Sequence, residues 1–371
     1  MNEEAFVRKK FAGWYATNPP LPPQEVSRRE FGVGGWNRKI ETRHIAFAGE
    51  SALAAFLARE APLFVSYSVA RYAFPDARPM QKKGWMGSDL VFDLDTDALP
   101  LNCAHGKGWV CDGCLDAVKE QTARLIEDFL IPDFGLARDE IEINFSGNRG
   151  YHVHIQRPDV LGLENAARRE IVDYLTANGL DLQRMFFVDE LGVWRGPRPT
   201  DGGWGGKLAR AFLRALKERR LEELGIHPRT ANRFYAKEGK VAAGIERGNW
   251  DVINIKERKD FWAAVAAKLS VRLADRIDQN VTADCTKLIR LPDSLHGETG
   301  LLAKRLKNLD AFDPLRHAVA FDGKGAVRVR VTRAPAFRFG EESFGPFENQ
   351  ELELPEGAAI YLLCKKAAVL A

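Results

Sequence analysis

The run Asp89–Asp95 (DLVFDLD) sets Asp93 and Asp95 inside an otherwise apolar, β-forming stretch that follows Gly87 and Ser88. Such a run is expected to be a strand. Asp93 and Asp95 stand two apart, so both side chains project from one face of it. Carboxylates on one face repel unless a cation lies between them, and hard oxygen ligands at this spacing suit Mg²⁺ or Mn²⁺. A bare D-x-D is most often a solvated strand end. Here Leu90, Val91, Phe92 and Leu94 predict a central strand, in which two unpaired acids are costly. Asp89 and Asp97 flank the pair and read as solvent-facing.

A second cluster follows within twenty residues: Cys103-x-His105-x₅-Cys111-x₂-Cys114. Four thiolate or imidazole ligands complete a tetrahedral Zn²⁺ shell with no open position, so this site reads as structural. Five cysteines in 371 residues are no disulfide framework; Cys285 and Cys364 read as core thiols. Net charge is +3 from 54 Lys+Arg and 51 Asp+Glu, which excludes a histone-like polycation but not a basic groove. At 45% hydrophobic and 28% charged residues the composition is globular, and the length suits two compact units or one elaborated α/β domain. The richest apolar run, Ala358–Cys364, is cut by Lys365 and Lys366, far short of a membrane span. The opening MNEEAFVRKK has no apolar core of a secretory signal.

Ser146-Gly-Asn-Arg149-Gly-Tyr-His152 joins two strand-like runs, Ile141–Phe145 and Tyr151–Ile155, so a hairpin is expected. Its glycines let backbone approach phosphate oxygens, Arg149 can bind them in bidentate fashion, and Ser146 and His152 can add hydrogen bonds. His154 shares a face with His152 and has no evident task. A last group, from Asp278 through Asp284 and Lys287 to Arg290 and His296, offers one carboxylate to complete a three-acid site and two cationic groups to clamp a triphosphate. His44, His227 and His317 read as non-catalytic.

Between these groups, Asn18–Pro23 (NPPLPP) separates an N-terminal helix from a basic, strand-like stretch from Arg28 to Phe47. Residues 50–60, 163–178 and 259–277 read as helices. Asp112–Leu130 has amphipathic helical spacing and Pro132 is expected to end it. Residues 201–240 read as a basic helical insertion: after the Gly-rich opening, ten Lys/Arg stand against four Asp/Glu. Thr286–Thr299 reads as strand and turn.

Taken in order, VFDLD (91–95), the Cys/His knuckle (103–114), SGNRGYH (146–152) and LIRLPDSLHG (288–297) resemble the catalytic small subunit of archaeal and eukaryotic DNA primases. Weaker echoes are RREF (28–31) and FDP (312–314), and the resemblance spans roughly residues 25–320. It implies an α/β (α+β mixed) fold, the archaeo-eukaryotic primase catalytic core, with two β-sheets flanked by helices. A catalytic domain over 1–330 is implied, with a zinc knuckle at 100–116, a helical basic insertion at about 190–250 and a C-terminal tail at 331–371 of no assigned role. It implies Asp93, Asp95 and Asp278 as Mg²⁺ or Mn²⁺ ligands, Asp278 matching the third acid better than Asp284. Ser146, Arg149, His152, Arg290 and His296 match triphosphate contacts, and Arg43 another basic residue near the nucleotide. Cys103, His105, Cys111 and Cys114 match a structural Zn²⁺ site. Asn148 departs from the family, where many relatives carry a second arginine.

The activity implied is DNA-directed RNA synthesis of short primers on single-stranded DNA, from nucleoside triphosphates, by two-metal-ion transfer. The expected partner is a large subunit with an iron–sulfur cluster, docking on the basic insertion or the apolar tail, with no membrane. The expected place is the cytoplasm, at the nucleoid. Two other readings are a stand-alone primase-polymerase or repair polymerase of the same superfamily, and a non-catalytic zinc protein that binds nucleic acid.

Overall fold

The computed structural model describes residues 2–99, 103, 105–106, 108–274, 277–323 and 325–371, without the side chains of Leu182 and Gln183. Residues 100–102, 104 and 107 of the expected knuckle lie outside the described residues. The chain forms two compact units. One comprises Met1–Ala123, Ala137–Arg169 and Arg276–Ala371; the other comprises Arg124–Leu136 and Glu170–Asp275.

In the first unit, among the described residues, two four-stranded antiparallel sheets hold the acids and the loops around them. One sheet runs in the order Leu288–Arg290, Phe64–Ser68, Phe31–Gly34, Thr42–Ile45. The other runs Arg305–Leu306, Ile141–Phe145, Gly150–Ile155, Leu90–Asp95. Every residue of Phe64–Ser68 and of Gly150–Ile155 is buried, so both sheets are covered on both faces. Tyr67 of one sheet meets His154 of the other, with near-parallel rings 6.5 Å apart and the hydroxyl 3.5 Å from Nδ1. His154, without an evident task in the sequence, thus packs between the sheets.

The acidic strand is not central. Among the described residues it is the last strand of its sheet, paired only with Gly150–Ile155. Its apolar residues are buried because other segments cover its faces, and its outer edge is closed by backbone from elsewhere: the Asp278 N–H donates to Asp93 O at 2.8 Å. Asp89 is also not solvent-facing. It is fully buried, with carboxylate oxygens 2.8 Å from Arg29 Nη2 and 2.7 Å from Arg71 Nη1, the pairing a buried charge requires.

The N-terminal helix Glu3–Thr17 is capped by Asn2, whose side chain accepts from Ala5 N. It buries Val7, Phe11 and Tyr15, one stripe at four-residue spacing. At its inner end the Tyr15 hydroxyl accepts from Leu295 N at 2.9 Å, anchoring the 288–297 segment.

Residues 331–371 are not a tail. The boundary at 330 falls inside the strand Ala326–Ala334, which pairs with Phe347–Pro355 and Ala368–Leu370. Between the latter two, the helix Glu356–Cys364 is buried from Gly357 onwards. Its apolar run is core: Ile360 lies against Gly300, and Tyr361 against Phe337 and Phe339. The run therefore offers no exposed apolar surface for a partner.

In the second unit the helices Gly203–Lys217, Pro228–Tyr235, Glu238–Glu246 and Arg258–Leu273 enclose an aromatic core. Trp262 packs edge-on against Trp250 at 4.7 Å and against Phe212 at 5.2 Å. The structured region is wider than the expected 190–250, because residues 170–189 and 251–274 supply part of that core. Its cations are partly consumed inside it: Lys207 is buried against Asp133, and Arg220 and Arg272 share Glu223. The helix beginning at Asp112 also runs past Pro132. A π turn over Leu125–Leu130 leads into Ile131–Phe134, and Gly135 at φ 65° ends it.

Candidate active site

Strand register builds the acidic face. Asp93 lies opposite His152 and Asp95 opposite Gly150. His152 Nε2 comes within 3.6 Å of Asp93 Oδ1. A side chain at Gly150 would strike Leu94 O, so the position is restricted to glycine. Asp278 N-caps the helix Gln279–Ala283, its Oδ1 accepting from Asn280 N at 2.8 Å. Its backbone bond to Asp93 brings it to the pair, across 185 residues of sequence. Asp284 instead turns its carboxylate onto Thr286 N and Oγ1. Burial first, then the charges of Asp95 and Asp278, pushes the Asp93 carboxyl up to about 7, against the pull of Lys287 and Lys39. That combination of desolvation and like charge is what bound cations relieve.

The hairpin turn supplies the first cation. Arg149 Nε lies 2.9 Å from Asp95 Oδ1, and its Nη2 pairs with Asp97. Ser146 Oγ accepts from Gly150 N at 3.2 Å, holding the turn while its own proton stays available. Gly147, at φ 82°, lies so close to His296 that a Cβ there would be 2.8 Å from the histidine Cβ. Thr299 Oγ1 donates to Gly147 O, clamping the turn to the 296–300 loop. His296 Nδ1 accepts from Glu298 N at 3.2 Å, which leaves Nε2 as the protonated donor. Arg290 stacks over Phe64 at 5.0 Å and donates to Val65 O. Burial above all, then Arg290, pushes His152 down to about 3. Burial and several nearby cations, Arg290 first, hold His296 well below 6.5. Both imidazoles are neutral at working pH.

Arg43 does not join this group. Its Nε bonds the buried Glu30 carboxylate at 2.8 Å, which Lys83 and His44 also approach. Burial opposes it, but Arg43 and Lys83 hold Glu30 below the usual carboxylate range. Two residues beside the site, Lys39 and Lys365, had no place in the motifs, and both are tied to the turn through Asn148 and Glu298. Lys39 is 3.2 Å from Glu298, Asn148 Nδ2 donates to Glu298 at 3.0 Å, and Lys365 Nζ is 3.4 Å from Asn148 Oδ1. The signal for Lys365 was the Lys pair that ends an apolar run.

The four knuckle ligands converge. The three Sγ atoms and one His105 nitrogen lie within 4.8 Å of one another. Sulfur separations are 3.2, 3.5 and 3.8 Å, against roughly 3.8 Å for the edge of a tetrahedron with 2.3 Å Zn–S bonds. His105 Nδ1 faces Gly106 O at 2.9 Å, which leaves Nε2 as the ligand. The donor set fits Zn²⁺. The knuckle rests on the C-terminal residues: Trp109 packs on Phe337 and Tyr361, and Asp112 pairs with Arg338. Of the remaining thiols, Cys364 is buried, whereas Cys285 is only half-buried and is no core residue.

Residues 92–307 match the family model described as DNA primase small subunit. The chain belongs to the DNA primase small subunit family. It is 35% identical to the DNA primase small subunit PriS of Methanococcoides burtonii, over 98% of this chain and 97% of that one. It is 36% identical to PriS of Methanothrix thermoacetophila, over 97% of each, and 33% identical to that of Archaeoglobus fulgidus, over 98% of each. The family makes this chain a primase, a nucleotidyltransferase of DNA replication, of the archaeal small-subunit type. A non-catalytic nucleic-acid binder is thereby set aside. The matched segment holds all three acids, the knuckle and the turn, while Arg43 and Lys365 lie outside it. Among the described residues, no helix is long and apolar enough to cross a membrane.

Proposed function

We propose that the protein synthesises short primers on single-stranded DNA by two-metal-ion nucleotidyl transfer with Mg²⁺ or Mn²⁺. The observation that carries this is the acidic face itself: Asp93 and Asp95 two apart on one strand, Asp278 bonded to Asp93 through its backbone, and the Asp93 carboxyl raised by burial first and then by the charges of Asp95 and Asp278. Asp93, Asp95 and Asp278 would hold two divalent ions, which would supply activation of a primer 3′-hydroxyl and charge neutralisation for the leaving pyrophosphate. Arg149, which pairs with Asp95 and Asp97, is placed to bind the triphosphate and would be released to do so once these carboxylates hold cations. Ser146 and the neutral imidazoles of His152 and His296 donate hydrogen bonds to phosphate oxygens, and Arg290 supplies fixed positive charge. Together they turn an encounter into a positioned reaction. Arg43 orders the first sheet beside the nucleotide through Glu30.

Zn²⁺ held by Cys103, His105, Cys111 and Cys114 shapes the loop and takes no part in the chemistry. As the family resemblance implies, the protein works at the nucleoid with a large subunit that carries an iron–sulfur cluster; with three of this chain's five cysteines in the knuckle, the two left cannot supply four ligands for one. Template-dependent incorporation on single-stranded DNA with Mg²⁺ or Mn²⁺ tests the reading. Asp95→Ala is expected to keep its fold and lose at least about 10³-fold in incorporation; retained activity would remove the metal assignment.

A further inference from the structure

Beside the acids, within the first unit, lies a cavity of about 410 Å³ whose charged lining is five cations and one acid: Arg38, Lys39, Arg149, Lys365, Lys366 and Glu298. None of Asp93, Asp95 and Asp278 lines it. Arg149 belongs to both places, because its guanidinium also pairs with Asp95. The cavity therefore opens where the acidic face ends. A concave, cation-lined space adjoining a carboxylate pair suits a polyanion that reaches out of the acid site.

Lys365 is placed for that role by the fold. It follows the last turn of the buried helix Glu356–Cys364, with φ −69° and its N–H bonded to Tyr361 and Leu363 carbonyls, so its backbone is fixed. The ammonium donates to Gly108 O of the knuckle at 2.7 Å and reaches Asn148 Oδ1 of the hairpin turn at 3.4 Å. An ammonium has three donors, and these two contacts leave one. Lys365 is half-buried, and among the described residues no carboxylate lies within ion-pairing distance of its amine. Burial first, with the Arg149 and Lys39 charges, brings it down to about 8, Glu298 opposing. Its neighbour Lys366 differs: it is exposed and lies over the Trp36 ring.

We propose that Lys365 is a phosphate-binding residue of the primase, gripping the β,γ end of the nucleoside triphosphate in this cavity, opposite Arg149. This rests on the nucleotide reading above and extends it to a residue from the C-terminal helix. The knuckle serves the same end through Gly108, whose carbonyl aims the amine.

The test is calorimetric binding of inorganic tripolyphosphate to the full chain, with zinc content and melting temperature measured alongside. Wild type, Lys365→Gln, Lys365→Arg and Arg149→Gln are compared. Lys365→Gln is expected to weaken tripolyphosphate binding roughly ten- to hundred-fold, the scale of one charge-assisted hydrogen bond. It should raise the nucleotide KM in parallel with kcat within about twofold, while zinc is retained. Lys365→Arg should recover most of the affinity. If Lys365→Gln binds as wild type while Arg149→Gln is weakened, the Lys365 assignment falls and the nucleotide site stands. If Lys365→Gln loses zinc and affinity together, and arginine restores neither, the lysine is only a structural tie. If wild type itself fails to bind tripolyphosphate, the nucleotide reading falls and takes this proposal with it.

Discussion

Asp93 and Asp95 lie two apart on one strand, pinned by ladder pairs to His152 and Gly150. The cations around the neighbouring cavity come instead from three separate segments: Arg38 and Lys39, Arg149, and Lys365 and Lys366. The contrast follows from reach. A carboxylate on one methylene goes only where its backbone is placed, so the negative half needs strand register and a backbone bond from Asp278. Lys and Arg carry long, flexible stems and can converge from scattered segments. The negative half is therefore rigid and compact in sequence, and the positive half is assembled by tertiary packing.

That difference is tested most strongly at the knuckle. Its Gly108 holds Lys365, and its Trp109 packs on the C-terminal residues, so it supports the positive half. Cys111→Ser is expected to lose zinc and several kcal/mol of stability, and to raise the nucleotide KM about tenfold or more in whatever protein remains folded. The Mg²⁺ or Mn²⁺ concentration for half-maximal activity should stay within about twofold. Titrations of nucleotide and of divalent ion on the variant separate the two. A shift in the ion requirement with KM unchanged would break the proposed division.

Two buried imidazoles belong to neither half. Burial holds His154 and His296 well below 6.5, so neither carries charge in the folded protein. The unfolded chain takes up protons at these residues below pH 6.5, and the fold does not. Stability is thus fully present above pH 6.5 and falls with pH below it, with a limiting slope of about 1.4 kcal/mol per pH unit for each histidine. Urea unfolding at pH 7.5, 6.0 and 5.0 measures it. His154→Gln should flatten the dependence whatever it does to absolute stability; an unchanged slope would show that His154 is not the group responsible.

How far these features are legible in the sequence follows the same division. The acids, the knuckle and the turn are local patterns, and their elements form as spaced. Asp278 could be matched by motif distance, but the reason it reaches Asp93 is a backbone bond to an edge strand. The apolar flanks of Leu90–Asp95 suggested a central strand because burial alone does not distinguish a ladder neighbour from a covering loop. The apolar tail at 358–371 read as a docking candidate for a similar reason: hydrophobicity says that the helix Glu356–Cys364 is covered, not by what. Lys365 was hidden because nothing local links position 365 to a turn at 148.

The Asp278 carboxylate has two tasks that substitution can separate. It caps the helix Gln279–Ala283, and by the proposed mechanism it holds a cation. Asp278→Ser keeps a capping oxygen and Asp278→Ala does not, so only the alanine variant should lose about 1 kcal/mol in thermal unfolding. Incorporation should fall strongly in both. If serine preserves activity as well as stability, Asp278 is a cap alone, and the negative half reduces to Asp93 and Asp95.

The smallest effect is expected at the one acid in the positive half. Glu298 accepts from Asn148 Nδ2 and pairs with Lys39. Its charge offsets part of the cationic lining, but it is about two-fifths exposed, so solvent screens much of the interaction. Glu298→Gln keeps an acceptor for Asn148 while it removes the charge and frees Lys39. The nucleotide KM should drop roughly two- to fivefold at low salt, and the gain should shrink as ionic strength rises. A gain independent of salt would mean that Glu298 acts by shaping the loop around His296 rather than by charge. A rise in KM would mean that its carboxylate organises the cations it faces, and the positive half would then be as dependent on a fixed acid as the negative half is on its strand.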